Sequence, residues 1–389
     1  MRSVIKLVVY LLLVLVFQEV FFRICFPIPE LSNFDRAYYA IKNEDEVPGY
    51  VRNRKYYWES SIDTPYRFVH KYNGYGFRDK GWTVAKPAGK KRVLFVGDSY
   101  VEAVMADSTL PEYFEASAAQ ENPDVMNAGM LGIGFSRYLR LITDMVPIFK
   151  PDHVVLVVYS NDFMDENVEI PTHYKSPVFY PKYRPRVLEL WQQYRQGIPV
   201  PFGYQPSAKP YFAKAGEADF VWNEQLDRMS DHASSYIVEA MKSGIFNHLR
   251  LNEIKREAFY LADHHDYTVP LDYLNYYSSK FDFELAVVYI PSRNQITDHY
   301  LKYEFELCKT CDTNMTLTDS LYNQNQINLA KACATSGVPF LDLSDFAREK
   351  ENNGVRLYWN YDGHFNELGT KLAAKEIYQF VNDNSSLTE

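Results

Sequence analysis

Short, continuous apolar runs alternate with longer amphipathic stretches along much of the chain. Five apolar runs predict strands: Val93–Val96, Asp124–Asn127, Val154–Tyr159, Glu284–Tyr289 and Pro339–Leu343. Helical spacing of apolar residues falls between them, including Ser136–Phe149, Asn323–Ser336 and Glu367–Val381. Strands that are apolar on both faces, with helices between them, indicate a parallel sheet covered on both sides. The predicted fold class is therefore α/β, a parallel sheet sandwiched by helices.

The alternation stops between about Asp165 and Asp282. Residues 167–219 are rich in proline and tyrosine, and this density of proline disfavours helices and central strands. From Trp222 to Asp263 the spacing becomes helical again. We expect an aromatic-rich helical insertion here, at the sheet edge where ligands bind in open parallel sheets. It forms either a lid or sugar-stacking wall over such a site, or a packed helical subdomain.

The N-terminus carries a long apolar segment. Leu7–Phe22 consists almost entirely of Val, Leu, Tyr and Phe, and Arg2 and Lys6 precede it. This pattern predicts a single-pass signal anchor, with the rest of the chain outside the cytoplasm. The run is short for a span and contains Glu19, so a cleaved signal peptide and a buried core helix are alternatives. The absence of a small-residue cleavage site after the run favours the anchor.

Charge and aromatic content narrow the range of partners. The net charge of −9 argues against nucleic acid or an anionic lipid surface as the main partner. The chain has 32 tyrosines, 25 phenylalanines and 5 tryptophans, which offer stacking surfaces for sugar rings.

Cysteine usage gives no sign of a metal site. Cys308 and Cys311 form a single CxxC pair with no second pair or histidine close in sequence, so no zinc is expected. In an exported domain, one disulfide among Cys308, Cys311 and Cys333 is the expected alternative, with one thiol left over. The sequence does not choose the pairing.

The first predicted strand runs directly into Gly97-Asp98-Ser99, and a helix is predicted from about Tyr100 to Ala119. This order places Ser99 at the carboxyl edge of the sheet and at a helix N-terminus. Backbone N–H groups there can stabilise a developing oxyanion, which a nucleophilic serine requires together with a base. The alternative for the tripeptide alone is an ordinary strand-to-helix turn.

Three further stretches follow in order along the chain: Asn127-Ala128-Gly129-Met130-Leu131-Gly132, Tyr159-Ser160-Asn161-Asp162 and Tyr361-Asp362-Gly363-His364-Phe365-Asn366. Together with Gly-Asp-Ser they resemble the SGNH (GDSL-type) hydrolase family, in a membrane-anchored form. The resemblance covers about Lys91 to Asp165 and about Phe283 to Val381.

The resemblance implies a role for each residue of the site. Ser99 would be the nucleophile, His364 the general base, and Asp362 the group that orients the base. The Ser99 N–H, the Gly132 N–H and the Asn161 side-chain amide would donate to the oxyanion. The alternative for Gly132 is a simple turn, and the alternative for Asn161 is an Asx turn that ends a strand. No metal and no cofactor are implied.

The sequence departs from the commonest family pattern near the base. One residue, Gly363, separates Asp362 from His364, where that pattern has two. In an extended strand the two side chains would run side by side, so we expect a turn at Gly363. The alternative is that Asp362 caps the turn or the following helix. Upstream, Asn73 to Asp79 resembles a stretch found in membrane-anchored relatives. We expect it to be a glycine turn feeding an edge strand, and a catalytic role is the alternative.

The function expected from the sequence is a membrane-anchored serine esterase. Its expected substrate is an acyl ester, with O-acetyl groups on a cell-envelope polysaccharide favoured. The alternatives are an O-acyltransferase with the same Ser-His-Asp site, a lipase or thioesterase, and a non-catalytic envelope glycan-binding scaffold. The predicted organisation has five segments: an anchor (1–26), a loop-rich segment (27–90), a first core half (91–165), the insertion (166–282) and a second core half (283–389).

Overall fold

The computed structural model describes most of the predicted core. The described residues are 2–25, 55–60, 66–71, 73, 77–162, 211–214, 233–242, 266–307 and 324–384, with the single positions 185, 187, 188, 191, 228 and 231. The strands are β1 (Lys55–Ser60), β2 (Tyr66–Lys71), β3 (Arg92–Gly97), β4 (Asp124–Gly129), β5 (His153–Tyr159), β6 (Tyr211–Lys214), β7 (Glu284–Ile290) and β8 (Phe340–Asp342). The helices are α1 (Arg2–Cys25), α2 (Ser99–Glu102), α3 (Leu110–Ser117), α4 (Phe135–Phe149), α5 (Ser235–Lys242), α6 (Thr268–Phe281), α7 (Leu301–Leu307), α8 (Gln324–Ser336), α9 (Ser344–Asn352) and α10 (Glu367–Asn384).

A five-stranded parallel sheet forms the centre, with the order β4-β3-β5-β7-β8. All five strands lie within two residues of the runs identified in the sequence. Side chains alternate across the sheet, so Leu94 and Val96 pack on one face with α4, α6 and α8, while Val93 and Phe95 pack on the other. Both faces are covered, and the predicted α/β class is confirmed.

A second, three-stranded sheet has the order β2-β1-β6. β1 and β2 are antiparallel, while β6 pairs with β1 in parallel. β6 comes from the proline-rich stretch, and it lies at the edge of this sheet, where proline-rich sequence is tolerated. The loop-rich segment and the predicted insertion therefore share one sheet.

The helix predicted from Tyr100 to Ala119 is two helices, α2 and α3. Ala103 ends α2 because its backbone is left-handed, with φ 52° and ψ 57°. Thr109 and Glu112 then form a capping box, with Pro111 in the first turn, and this begins α3. The single predicted helix was therefore wrong, and the sequence carried the capping signal that divides it.

One helix that falls within residues 166–282 packs in the main core. α6 packs against α4, α8 and β7, and its Leu271, Leu274 and Tyr277 are buried in the main core. α6 is thus the core helix that precedes β7. Of the helical stretch predicted from Trp222 to Asp263, the structure describes α5 and a few neighbouring positions, and nearly all of residues 167–219 lie outside the described residues.

The apolar N-terminal run forms α1, a helix of 24 residues. Among the helices that the structure describes, none is both long and apolar enough to cross a membrane. The membrane anchor predicted for residues 1–26 is not shown.

One cysteine of the expected disulfide set can be placed. Cys333 is a free thiol buried in α8, and burial raises its pKa to about 12. Cys308 and Cys311 lie outside the described residues.

A half-buried carboxyl group, that of Asp79, ties the segment before β3 to the edge strand β4. Asp79 Oδ2 accepts the Asn127 N–H at 2.8 Å and the indole N–H of Trp82 at 2.6 Å. Burial nevertheless raises the pKa of Asp79 to about 7. The charged form is therefore held in the folded protein at a cost in free energy.

We predict that Asp79→Asn makes the protein relatively more stable as the pH rises. The folded pKa of about 7 exceeds the ordinary value of 3.8, so wild type loses stability between about pH 4 and pH 7, by a few kcal/mol at ~1.4 kcal/mol per pKa unit. Asparagine keeps an acceptor oxygen and does not titrate. Urea unfolding of both proteins across this pH range measures the difference. Asp345→Asn, at an exposed surface carboxyl, is the control. A difference between wild type and Asp79→Asn that stays constant with pH contradicts the prediction.

Candidate active site

Ser99 begins α2 immediately after β3. Asp98 is the N-cap, and its carboxylate accepts the Tyr100 N–H at 2.9 Å. Gly97 is required by space, because a Cβ there would lie 2.5 Å from Val101 Cγ2 and 2.8 Å from the Val157 carbonyl oxygen. The turn therefore sits directly on the sheet, with Ser99 largely buried at the helix N-terminus.

Three of the predicted site residues meet in one hydrogen-bonded row. His364 Nε2 lies 2.8 Å from Ser99 Oγ, and His364 Nδ1 lies 2.5 Å from Asp362 Oδ1. An ionised carboxylate only accepts hydrogen bonds, so Nδ1 carries the hydrogen. Nε2 is then the atom that accepts the hydrogen bond from the serine hydroxyl. The side chains of His364 and Asp362 are 20% and 12% exposed, so the row opens toward solvent at the imidazole.

A local turn explains how one intervening residue is enough. The chain bends throughout residues 361–364, and the His364 backbone N–H donates to Asp362 Oδ1 at 2.8 Å. This is an Asx turn, in which the carboxylate bonds the backbone two residues further on. The same oxygen therefore holds both the backbone and the imidazole of His364. Asp362 therefore both caps the turn and contacts the imidazole, the two roles expected for it.

Two side chains from other elements fix the loop that carries the base. Arg293 Nη1 lies 2.5, 2.7 and 3.0 Å from the carbonyl oxygens of residues 359, 360 and 362. Arg293 is buried and forms an ion pair with the buried Glu304. From the other side, the Tyr100 hydroxyl donates to the Gly363 carbonyl at 2.5 Å. The base loop is thereby attached to α2 and to the turn after β7.

The Ser99 hydroxyl has a second acceptor besides His364. Asp98 Oδ2 lies 3.1 Å from Ser99 Oγ, and burial raises the pKa of Asp98 to about 6. Above that pH the Asp98 carboxylate and the imidazole both face the hydroxyl. The closer contact, at 2.8 Å, is the one to His364.

The two candidate glycines after β4 have different roles. A Cβ on Gly129 would lie 2.3 Å from the Glu102 backbone nitrogen, so this glycine lets β4 pack against α2. A Cβ on Gly132 would have no atom within 4 Å, but the φ of +74° at this position favours glycine. The exposed Gly132 is thus the glycine of the loop, and its role as a backbone donor stays a prediction.

Asn161 lies just beyond the carboxyl end of β5, which pairs with β3. It is half-buried, at the same edge of the sheet as Ser99. Asp162 closes the turn, since its carboxylate accepts the Tyr159 N–H at 2.6 Å. The position suits a donor toward Ser99.

The stretch before β3 contributes a residue that the sequence analysis did not assign. Residues 77–91 contain no strand, so the edge strand expected after Asn73 to Asp79 is wrong. The buried Arg78 instead donates to four backbone carbonyls, those of Glu102 and Ala103 at the end of α2 and those of residues 106 and 107. The family-like pattern Asn-x-x-Gly-Phe-Arg was the available signal, but its partners lie about 25 residues away in sequence.

An aromatic residue is hydrogen-bonded to the base residue through the backbone. Tyr358 and Phe365 form an antiparallel bridge, and their rings pack 4.8 Å apart in the core. In the next pair, the Trp359 N–H donates to the His364 carbonyl at 3.2 Å. The half-buried Trp359 packs against Val104 and Met105, and its indole N–H donates to the Met105 carbonyl at 3.0 Å.

Comparison with known proteins gives structural neighbours only. No family model matches the chain, and no curated protein matches it. A lipase/acylhydrolase from Enterococcus faecalis has 14% identity and a TM-score of 0.36, covering 77% of this chain and 99% of its own. A mutant acetylxylan esterase from Geobacillus stearothermophilus has 13% identity and a TM-score of 0.38, covering 78% and 99%. A GDSL-like lipase from Parabacteroides merdae, itself of putative function, has 10% identity and a TM-score of 0.37, covering 77% and 100%. Values this low do not by themselves establish a shared family.

We predict that Tyr100→Phe destabilises the protein by about 1–3 kcal/mol, the cost of leaving a buried carbonyl without its donor. The Tyr100 hydroxyl is buried and donates to the Gly363 carbonyl, and phenylalanine keeps the ring contacts with Tyr159 and Phe365. Urea denaturation measures the change in the free energy of unfolding. The matched control is Tyr378→Phe, which removes a half-buried hydroxyl bonded to Glu121 and should cost less than about 0.5 kcal/mol. Equal losses in the two variants would contradict the role of this hydrogen bond.

Proposed function

We propose that this protein is a serine esterase of the SGNH type, with Ser99 as nucleophile, His364 as general base and Asp362 as the group that orients the base. The observation that carries the proposal is the row Asp362–His364–Ser99, with contacts of 2.5 and 2.8 Å, at a strand-to-helix turn. Two of the four ordered sequence blocks contain these residues, and the other two contain Gly132 and Asn161. A nucleophile, a base and an orienting carboxylate in hydrogen-bond contact are what acyl transfer from an ester requires.

The chemistry follows from the protonation states in the row. The Ser99 oxygen attacks the ester carbonyl carbon while its proton passes to His364 Nε2. The imidazolium then protonates the leaving alcohol, and an acyl-serine remains. A water molecule attacks the acyl group with His364 again as base, and this releases the carboxylic acid and restores Ser99. Asp362 stabilises the imidazolium in both steps through Nδ1.

Donors for the oxyanion lie on three neighbouring parts of the sheet edge. The Ser99 N–H lies at the start of α2, the Gly132 N–H in the loop after β4, and the Asn161 amide just after β5. Because β4, β3 and β5 are adjacent parallel strands, their carboxyl ends bring these three groups to one edge. We assign all three to the oxyanion hole.

The substrate that we propose is an O-acetylated carbohydrate. Trp359 is bonded through its N–H to the His364 carbonyl and is half-buried, so part of its surface is available to a ligand near the base. Aromatic rings pack well against the apolar faces of sugars. The small apolar group formed by Val104, Met105, Leu131 and Trp359 lies between the base loop and the Gly132 loop.

We predict that removal of any member of the row suppresses hydrolysis of a small acetyl ester. Ser99→Ala and His364→Ala should lose nearly all activity, and Asp362→Asn should lose up to ~10⁴-fold through the wrong imidazole tautomer. Steady-state kinetics and labelling by a serine-reactive fluorophosphonate measure this. Asp345→Asn, at an exposed carboxyl on α9, is the control and should behave as wild type. Near wild-type turnover by Ser99→Ala would disprove the proposal.

Product analysis distinguishes water from a sugar hydroxyl as the acceptor of the acetyl group. An acetylated glycan incubated with wild type should release free acetate at the same rate with and without an added sugar. Acetyl transfer to the added sugar would instead identify an O-acyltransferase that uses the same residues.

We predict that Asn161→Ala lowers kcat by ~100-fold, the scale of losing one oxyanion donor. KM should change little, because this donor acts mainly on the charge that develops in the transition state. Asn384→Ala, in the last turn of α10, is the control. A raised KM with unchanged kcat would assign Asn161 to substrate binding.

A further inference from the structure

A buried carboxylate next to the proposed site has no part in the chemistry above. Glu102 ends α2, three residues after Ser99, and is 1% exposed. Its Oε2 accepts the backbone N–H of Leu131 at 2.7 Å. Leu131 directly precedes Gly132, so this bond holds the loop that carries the proposed backbone donor.

The loop is attached at two consecutive N–H groups. The Met130 N–H donates to the Gly97 carbonyl at 3.0 Å, just before the Ser99 turn, and the Leu131 N–H donates to Glu102. The next N–H in the chain is that of Gly132, whose φ of +74° turns the backbone at that point. The two bonds set the height of the loop over α2, and the glycine sets its direction.

The helix end that carries Glu102 is itself held from behind. Arg78 donates to the backbone carbonyls of Glu102 and Ala103, and Ala103 has the left-handed φ of 52° that ends α2. A non-glycine residue in that conformation is strained and persists where the surroundings hold it. The Arg78 guanidinium, with its several donors in a fixed fork, suits a cluster of outward-facing carbonyls.

We propose that Glu102 is a positioning residue for the oxyanion hole: its carboxylate holds the Leu131 N–H so that the Gly132 N–H faces the carbonyl oxygen of the substrate, and Arg78 fixes the helix end that carries it. This rests on the proposed function, because the direction of the Gly132 N–H matters only if an oxyanion forms next to Ser99. In this role Glu102 acts on the oxyanion through the loop, by its bond to the Leu131 N–H.

The proposal separates three substitutions of one residue. Glu102→Ala removes the acceptor, and a donor displaced by about 1 Å costs ~100-fold in turnover. Glu102→Asp keeps the charge but is one methylene too short to reach the Leu131 N–H, so it should also lose most of kcat. Glu102→Gln keeps an acceptor oxygen and should lose at most ~10-fold, since a neutral hydrogen bond is about half as strong as a charge-assisted one. KM should stay within about threefold of wild type in all three, because ground-state binding is little affected.

The test combines kinetics with hydrogen exchange on the full chain. We expect kcat for a small acetyl ester to fall in the order wild type, Glu102→Gln, then Glu102→Ala and Glu102→Asp, with faster amide exchange at residues 130–133 in the last two. Glu112→Ala is the matched control, because it also removes a carboxylate that accepts a backbone N–H, at 2.6 Å from Thr109, but on α3. It should keep the kcat of wild type and unchanged exchange at residues 130–133.

The outcomes distinguish this proposal from the proposed function. If Ser99→Ala is inactive but Glu102→Ala and Glu102→Asp turn over like wild type, the positioning role is wrong and the esterase assignment stands. If Glu102→Gln is as slow as Glu102→Ala, the charge matters and not the bond to Leu131, which also overturns the proposal. If Ser99→Ala stays active, the esterase assignment fails, while the exchange measurement still reports whether Glu102 holds the loop. Should Glu102→Ala fail to fold, Glu102→Asp and Glu102→Gln carry the comparison.

Discussion

The close approach of α2 to the ends of β3, β4 and β5 is the constraint on which the rest of the site depends. Two glycines permit it, since a Cβ on Gly97 would lie 2.8 Å from the Val157 carbonyl oxygen and a Cβ on Gly129 would lie 2.3 Å from the Glu102 nitrogen. Because α2 packs this closely on the strand ends, the Ser99 hydroxyl and the loop after β4 lie near each other at the carboxyl edge of the sheet. His364, in the loop before α10, lies at this same edge, with its Nε2 at 2.8 Å from Ser99 Oγ.

Buried arginines hold the loops around the sheet in place by hydrogen bonds to backbone carbonyls. Arg78 bonds the carbonyls that end α2, Arg293 bonds the carbonyls of the base loop, and Arg92 bonds the Phe149 carbonyl at 2.7 Å and those of residues 83–85 at the opposite end of the sheet. A guanidinium has five donors in one plane, so one side chain satisfies several carbonyls that a turn leaves unpaired. Burying each cation is costly, and Glu304 beside Arg293 and Asp124 beside Arg92 offset that cost.

The carboxyl groups of Asp362, Glu102, Asp79 and Asp98 divide into two kinds with different consequences. Asp362 and Glu102 accept N–H groups close to Ser99 and fix the base and a loop. Asp79 and Asp98 also accept backbone N–H groups, but burial dominates and raises both pKa values, to about 7 and about 6. The charges of Asp79 and Asp98 therefore change closer to neutral pH than those of ordinary carboxyl groups, and of the two only Asp98 contacts Ser99.

The amino-acid sequence by itself determined the order of strands and core helices, the turn at Ser99 and the four blocks that name Ser99, Gly132, Asn161, Asp362 and His364. These features are local, because apolar runs and turn residues act over a few positions. Only the tertiary structure decided that α6 belongs to the core, that Ala103 divides the helix after Ser99, and that Arg78 bonds the end of α2. It also decided the contact between Ser99 and His364, 265 residues apart, and the Glu102 bond to Leu131. Such contacts depend on how strands and helices pack in three dimensions, and no short stretch of sequence contains both partners.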